Sequence, residues 1–278
     1  MTIFNIELSI IYLNIVFIIY LNLKEIANIW IVINIITKIK TKIKTKNDSD
    51  FMENLKIAIF SKLTLKEKEI KNLFEESNLN NYELTIYDPI KRGDLQKPEM
   101  LNYDVIGIID GCFLQNTAVG HREILNILKN NVKVYGAGSM GALRASELDT
   151  LGMMGVGKVY ELYKSGKLCD DDEVAVTFDK KTENGEIVQI TFSMVSFREI
   201  MKNALAENII NQKDYKLIIN SAKELYYPLR TYETVFDKSK LDKEIQIKIM
   251  DYINTQRDIK HIDGCNMIKK IISDNSTF

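Results

Sequence analysis

The sequence predicts an α/β fold: a mostly parallel, Rossmann-like sheet with a β-hairpin insertion and a helical C-terminal region. The main observation is a strand, helix, strand, turn and helix pattern within residues 104–147. Apolar runs at residues 105–109 and 132–135 alternate with helical patterns at residues 121–129 and 140–148. Right-handed crossovers make such strands parallel, so the loops that follow them share one edge of the sheet. Open α/β folds bind ligands at that edge, and we expect the functional site there.

Further elements extend this unit on its N-terminal side. Strands are predicted at residues 55–60 and 82–87, and a helix is predicted at residues 64–77 between them. Thr64 would be the N-cap of that helix, and Glu67, three residues later, would complete a capping box. Four or more strands alternating with helices indicate a parallel sheet that is covered on both faces.

The C-terminal side departs from this alternation. After a helix at residues 156–164, Asn184-Gly185 stands between two alternating runs, which is a strong hairpin signal. From residue 196 onward the pattern is helical, with breaks expected at Pro228 and near Gly264. We therefore predict an α/β core domain at residues 52–195 and a helical region at residues 196–278.

The first 51 residues differ in composition from the rest of the chain. They contain no Gly or Pro, and 15 Ile, 6 Asn and 6 Lys make up more than half of them. One interpretation is a membrane anchor, although the uncharged run at residues 8–23 is shorter than the roughly 18 to 20 residues that a spanning helix needs. The other is a misassigned start, because A/T-rich codons encode these residues and Met52 opens a conventional N-terminus. We expect a cytoplasmic protein, anchored only if residues 1–51 are genuine.

Composition argues against several classes of function. Lys and Arg number 37 against 38 Asp and Glu, and this balance gives no general attraction to nucleic acid. The three cysteines lie far apart without CxxC spacing, and there are only two histidines. This pattern predicts neither a disulfide framework nor a metal site, and it suggests a reducing compartment.

A glycine turn follows the strand at residues 132–135. Residues 136–141 fit GxGxxG, so the backbone at Gly136, Gly138, Met140 and Gly141 is a candidate anion-binding site at a helix N-terminus. A dinucleotide fold would continue with a strand that ends in an acidic residue, whereas a glycine-rich loop follows here. We therefore predict that the chain binds no dinucleotide cofactor.

Ser139, within this turn, has two interpretations. Its surroundings read Ala-x-Ser-x-Gly, a relaxed nucleophile elbow in which the hydroxyl would stand exposed on a strand-to-helix turn. Alternatively, Ser139 is simply the N-cap of the helix that follows. The sequence does not decide between a nucleophile and a cap.

Asp110 and His121 are the other candidate catalytic residues. A carboxylate that ends one strand and an imidazole at the start of the next helix would serve Ser139 as orienting group and base, or would bind an anionic group. The alternatives are an ordinary Asp110-Gly111 turn and a surface position for His121. Cys112 lies beside Asp110 and is expected near the same site.

Arg144 and Glu147 are candidates for substrate binding. Arg precedes Glu by three residues, the less favourable order for a helix-stabilising pair, so function explains the pair better than helix stability does. Arg144 would lie one turn from the glycine-turn amides. The acidic run at residues 170–173 is either a solvated loop or a site for Mg²⁺ or a basic partner.

Four blocks in unbroken order carry a resemblance to a known family: DGCFLQNTAVGHREIL (110–125), VYGAGSMGALRASEL (134–148), GMMGVGKVYELYKSGKL (152–168) and DDDEVAV (170–176). They resemble the TfuA-like proteins, named from trifolitoxin biosynthesis. One departure is Gly138, which stands where a second Ser or a similar small residue is expected.

The resemblance implies an accessory role beside a YcaO-type, ATP-using enzyme. Such enzymes replace a backbone amide oxygen and form thioamides or azolines in a ribosomal peptide or protein. The TfuA-like partner is implied to assist recruitment and sulfur supply, with a thiocarboxylated carrier protein as a candidate sulfur source. A stand-alone nucleotide-binding or Ser-hydrolase-like α/β enzyme is the alternative.

Overall fold

The computed structural model describes residues 54–113, 117–180 and 187–276, and all structural statements concern these residues. The strands are β1 (Leu55–Phe60), β2 (Tyr82–Tyr87), β3 (Val105–Ile108), β4 (Lys133–Ala137), β5 (Met154–Val156), β6 (Phe178–Lys180) and β7 (Ile187–Gln189). The helices of the α/β region are α1 (Glu67–Glu75), α2 (His121–Lys129), α3 (Met140–Leu148) and α4 (Lys158–Lys164). The C-terminal helices are α5 (Met194–Ala206), α6 (Gln212–Lys223), α7 (Tyr232–Ser239), α8 (Lys243–Thr255) and α9 (Ile259–Asn275).

Five parallel strands form the central sheet in the order β2-β1-β3-β4-β5. This is one of the two common orders of doubly wound sheets, so the predicted fold class is confirmed. The chain winds outward in one direction from β1 and in the other from β3. The carboxyl ends of these two strands are therefore the switch point at which such sheets bind ligands.

The central strands are apolar along their length because helices cover both faces of the sheet. Ile57 and Ile59 of β1 face one side, whereas Ala58 and Phe60 face the other, and all four are buried. Neither face contacts water. This explains why these strands read as continuous apolar runs rather than as alternating ones.

The two faces are covered by helices from different parts of the chain. Helices α2 and α3 pack on the face that contains Phe60, whereas α1 and α9 pack on the face that contains Ile57. Residues Met267, Ile268 and Ile271 of α9 are fully buried there. The sequence predicts the helix α9 but not its position, because its apolar pattern does not reveal what it packs against.

Two predictions at helix ends are wrong. The first helix begins at Glu67, its N-cap Lys66 makes no side-chain cap, and the Thr64 hydroxyl donates to Asp110 instead. There is no capping box because a buried carboxylate competes for Thr64. The expected break near Gly264 is also wrong, since this glycine lies inside α9, where a Cβ would come within 3.1 Å of the Leu65 side chain.

Elements around the glycine-rich segment were partly predicted. Strand β5 was missed because its three residues, with Gly155 at the centre, are too short for a pattern. Helix α4 begins two residues later than predicted, after Gly157, whose φ of +95° interrupts the helix. Strands β6 and β7 pair in antiparallel fashion, which confirms the hairpin, although the Asn184-Gly185 turn lies outside the described residues. A 3₁₀ turn at Tyr227–Leu229 confirms the break at Pro228.

The C-terminal helices enclose a buried guanidinium. The side chain of Arg230 is inaccessible to solvent. Its Nε and Nη2 donate to the carbonyls of Ala222 (3.1 Å) and Leu225 (3.0 Å), and its Nη1 and Nη2 donate to the carbonyl (3.1 Å) and carboxylate (2.8 Å) of Asp172. Arg230 therefore joins the acidic run to the helical region.

In the described part of the chain, no helix combines the length and apolar character needed to cross a membrane. The predicted extension at residues 1–51 lies outside the described residues. Both interpretations of it stay predictions, as does the domain boundary at residue 195.

Residues 52–278 expressed alone are expected to be soluble and to unfold cooperatively. Every described strand and helix begins at Leu55 or later. The apolar clusters on the two faces of the sheet consist of residues from this part of the chain. Circular dichroism and a thermal melt check this. Aggregation of the shortened chain, together with detergent extraction of the full chain, would favour the membrane-anchor interpretation.

Candidate functional site

A groove of about 580 Å³ opens where β3 and β4 end. It contains four residues that the sequence predicts as candidates: His121, Met140, Arg144 and Glu147. The remaining lining residues are Arg92, Phe113, Ala118, Val119, Gly120, Leu143, Cys169, Asp170 and Asp171. The lining of this groove, which we call the Arg144 groove, combines apolar side chains with charges of both signs.

The polar centre of the groove is one carboxylate shared by two basic side chains. Glu147 Oε2 lies 2.6 Å from Arg144 Nη1 and 2.7 Å from His121 Nε2. Arg144 also donates from Nε to the Val119 carbonyl at 3.0 Å, and its side chain is only 13% exposed, whereas His121 and Glu147 reach solvent. The guanidinium is thus held in one orientation at the base of the groove.

Hydrogen bonds to the Glu123 carboxylate fix the start of α2, and they thereby fix the position of His121. The carboxylate of Glu123 accepts hydrogen bonds from the amides of Gly120 (3.0 Å) and Gly93 (2.8 Å). An acidic side chain in the first turn also suits the positive end of the helix dipole. His121 therefore projects from an anchored helix terminus towards Glu147 of α3.

Ser139 occupies the N-cap position of α3 but makes no capping hydrogen bond. It is buried, and its hydroxyl donates to the carbonyl of Val174 at 3.3 Å. Neither expected arrangement is present: the hydroxyl is not exposed on an elbow, and it does not cap the helix. Ser139 also does not line the groove that contains His121.

Asp110 is buried away from that groove, where it closes the loop after β1. It accepts hydrogen bonds from the Ser61 hydroxyl (3.1 Å), the amides of Leu63 (2.9 Å) and Thr64 (2.8 Å), and the Thr64 hydroxyl (2.5 Å). The carboxylate therefore joins the end of β3 to the loop between β1 and α1. The expected convergence of Asp110 with His121 and Ser139 is not seen, because these donors already occupy both of its oxygens.

Asp110→Asn is expected to lower the free energy of unfolding by about 2 to 3 kcal/mol, because an amide nitrogen cannot accept the hydrogen bonds that one carboxylate oxygen now receives. Asp104→Asn is the matched control, since Asp104 is exposed and accepts one backbone bond from Lys56. We expect the control to cost less than about 1 kcal/mol. Urea unfolding of both variants measures the difference, and equal midpoints would contradict a structural role for Asp110.

The glycines of the GxGxxG turn allow close backbone packing. A Cβ on Gly141 would lie 1.8 Å from the Ile108 carbonyl oxygen, and one on Gly136 would lie 2.2 Å from the Gly141 carbonyl oxygen. Gly138 has a φ of +69°, and a Cβ on it would lie 3.0 Å from the Lys260 carbonyl oxygen. The start of α9 thus covers the turn.

Two amides of this turn are already engaged. That of Ser139 donates to Ala137 (2.8 Å) and that of Gly141 to Ile109 (3.2 Å). Binding of an anion by the turn stays a prediction, but it would require these bonds to open. Arg144 is the better placed donor.

The acidic run is more structured than a solvated loop. Asp170 and Asp171 are exposed at the groove, but Glu173 is buried and its Oε1 lies 2.7 Å from Arg198 Nη2. The Tyr163 hydroxyl donates to the Asp170 carbonyl at 2.9 Å. Burial raises the pKa of Tyr163, and the charge of Glu173 adds to this effect, so the phenol remains protonated.

Cys112 lies in a different cavity from His121. This cavity, of about 380 Å³, lies at the ends of β1 and β2 and is lined in part by Phe60, Tyr87 and Lys91. The expected position of Cys112 beside the candidate site is therefore not seen. Cys112 borders the cavity at the ends of β1 and β2, whereas His121 lines the groove at the ends of β3 and β4.

A third group, formed by Glu69, His261 and Cys265, was not predicted from the sequence. Glu69 Oε1 lies 2.5 Å from His261 Nε2, and Cys265 Sγ lies 3.9 Å from His261 Nδ1. Burial raises the pKa of the Cys265 thiol, and Glu69 adds to the rise. The available signal was the spacing of His261 and Cys265 by four residues, which puts them on one face of α9.

A comparison with protein-family models gives one match. Residues 110–231 match the model described as TfuA-like protein. This part of the chain is similar to the TfuA-like proteins. Among curated proteins, no sequence matches it.

The match confirms the family that the sequence blocks suggest and extends beyond them to Thr231. The matched residues include the acidic run and the buried Arg230. They also include every lining residue of the Arg144 groove except Arg92. This similarity to the TfuA-like family supports a general accessory role. The elements outside the matched residues are strands β1, β2 and β3 and helices α1, α7, α8 and α9.

Proposed function

We propose that this TfuA-like protein assists a YcaO-type, ATP-dependent enzyme in forming a thioamide or azoline in the backbone of a ribosomal peptide or protein. Its part is recruitment and sulfur supply. The observation that carries the proposal is the family match over residues 110–231, because the Arg144 groove falls almost entirely within it.

The groove is suited to a chain terminus that carries negative charge. Arg144 and His121 offer donors at its base, and a guanidinium has more N–H groups than the two engaged by Glu147 and Val119. Phe113, Met140 and Leu143 supply apolar contacts along the wall. We infer that the groove holds the carboxylate or thiocarboxylate terminus of a sulfur-carrier protein.

Binding is a better role for this site than covalent catalysis. In the described part of the chain, the Ser139 hydroxyl donates to a carbonyl, and Asp110 accepts from the loop after β1. These residues and His121 therefore do not form a nucleophile, base and orienting group. We assign the anion-binding role to Arg144, whose guanidinium is held in place by Glu147 and by the Val119 carbonyl.

The alternative, a stand-alone nucleotide-binding or Ser-hydrolase-like enzyme, has less support. It would use the GxGxxG turn or an exposed Ser139. The turn is covered by Lys260, and Ser139 is buried. Thioester hydrolysis by the isolated protein, lost in Ser139→Ala, would favour this alternative.

Co-expression with the encoded YcaO-type enzyme tests the proposed function. We expect the two proteins to co-purify, and mass spectrometry should show more of the substrate peptide with one oxygen replaced by sulfur. An unchanged yield without co-purification would remove the hypothesis. Arg122→Ala should co-purify and raise the yield as the wild type does, because Arg122 is exposed on α2 outside the groove lining. It therefore serves as a control for the loss of a surface charge.

Glu147→Gln is expected to strengthen the binding of a free C-terminal carboxylate to the groove by roughly two- to fivefold. The amide removes the negative charge that both Arg144 and His121 now share, and ion pairs at partly exposed sites contribute about 1 kcal/mol or less. Isothermal titration with a peptide of the carrier's C-terminus measures the change. The same peptide with an amidated terminus is the control, and it should bind both proteins equally weakly.

A further inference from the structure

A second groove, of about 740 Å³, lies beside the loop that follows β1, on the β1 side of the switch point of the sheet. Leu63 and Thr64, in the loop after β1, form one side, and the first half of α9 forms the other. Doubly wound sheets with this strand order bind ligands where β1 and β3 diverge. The Arg144 groove lies further along the same edge, beyond β3 and β4.

Three potential metal ligands meet in this second groove. One ligand atom each from Glu69, His261 and Cys265 lies within 4.8 Å of the other two. His261 and Cys265 are one turn apart on α9, and Glu69 faces them from the first turn of α1. All three residues are partly exposed, so a dissolved ion can reach them from the groove.

We propose that Glu69, His261 and Cys265 bind a divalent transition-metal ion, with Zn²⁺ the best fit. Thiolate, imidazole and carboxylate together form a ligand set typical of zinc, whereas Mg²⁺ and Ca²⁺ prefer oxygen ligands alone. Three protein ligands leave the fourth tetrahedral position open towards the groove. An open position is the arrangement of zinc sites that bind water or substrate rather than only stabilise the fold.

The side chains need only a small adjustment to bind the ion. Ligands around tetrahedral zinc lie on the order of 3.4 to 3.6 Å apart, given zinc bonds of about 2.0 to 2.3 Å. Cys265 Sγ and His261 Nδ1, at 3.9 Å, are close to that spacing. The Glu69 carboxylate now accepts from His261 Nε2 and must turn towards Nδ1, or the imidazole must flip. Glu69 is 40% exposed, so solvent leaves room for that rotation.

Basic side chains in the groove influence which ligand would occupy the fourth position of the zinc ion. Arg257 and Lys269 line the groove, whereas Lys260 directs its ammonium to the Val174 carbonyl. Arg257 and Lys269 outnumber Asp258, a further carboxylate in the same lining, so the charges of the groove favour an anionic fourth ligand over neutral water. The inference therefore includes a small anion, such as hydroxide or sulfide, as the exchangeable ligand. It does not depend on the proposed role beside a YcaO-type enzyme.

Zinc titration of the metal-free full-length chain against a chromophoric chelator tests the proposal. We expect one Zn²⁺ per chain, and His261→Ala and Cys265→Ser should each weaken binding by more than about 100-fold. Loss of an outer-shell partner costs roughly 10- to 100-fold, so a ligand should cost more. Glu69→Gln should fall between these variants and the wild type. Cys169→Ser is the matched control, because Cys169 is exposed and lies outside this groove.

Two further measurements separate a ligand role from a structural role. Co²⁺ should give a thiolate-to-metal charge-transfer band that disappears in Cys265→Ser, and Zn²⁺ should protect Cys265 from alkylation by iodoacetamide. Metal-free circular dichroism establishes that each variant folds. Zinc binding that is absent, or equally strong in folded His261→Ala and Cys265→Ser, overturns the proposal, as does alkylation of Cys265 at the same rate with and without Zn²⁺.

Discussion

Arg144→Ala is expected to lower thioamide formation by the proposed complex by roughly ten- to a hundredfold. A hydrogen bond to a charged group contributes about 1.5 to 3 kcal/mol, and Arg144 is the best-oriented cation in the groove. The substrate-peptide mass assay at limiting carrier concentration measures the loss. A carrier peptide with an amidated terminus should bind the wild type and the variant alike.

Folding must be separated from binding in this experiment. Arg144 also donates to the Val119 carbonyl, so the variant should melt slightly below the wild type but should remain folded at the assay temperature. Arg122→Ala removes an equal charge from the neighbouring helix and should retain full activity. Full activity in a folded Arg144→Ala protein would exclude the groove as the carrier site.

Arg230→Met is expected to cost about 3 to 5 kcal/mol of the free energy of unfolding. The methionine fills much of the space but leaves the carbonyls of Ala222, Leu225 and Asp172 without their buried donor. Urea denaturation monitored by circular dichroism gives the value. Lys238→Met is the control, because its ion pair with Glu224 lies at the surface and should contribute little.

Asp172→Asn tests which contacts of Arg230 matter. The Asp172 side chain is 42% exposed, so we expect the loss of its charge to cost far less than the loss of the guanidinium. A double-mutant cycle of the two positions should therefore give a coupling energy well below the cost of Arg230→Met alone. Equal costs for the two single variants would instead assign the stabilisation to the ion pair.

The regular part of the fold was predictable because local sequence determines it. Strands β1 and β2 and helices α2 and α3 begin and end where their apolar patterns predict. Tertiary contacts decide the rest. Asp110 takes Thr64 from its expected capping role, and a helix from the end of the chain covers the sheet.

The candidate site was predicted only in part, because local sequence determines where its helices begin but not where its side chains point. His121, Arg144 and Glu147 come together because α2 and α3 both begin at the edge where the strands end. Asp110 and Ser139 lie at that edge too, but their side chains turn into the protein, and residue spacing does not report side-chain direction. Glu69 and His261 are 192 residues apart, so no local motif could have paired them.

The position of α9 has a consequence for synthesis on the ribosome. The face of the sheet that carries Ile57, Ile59 and Val105 is covered in part by Met267 and Ile271, which are translated about 200 residues later. Contacts of such long sequence separation slow folding, because a large loop must close before they form. During translation the nascent sheet therefore exposes an apolar face. We expect chaperones to bind it and chains that terminate before residue 259 to aggregate.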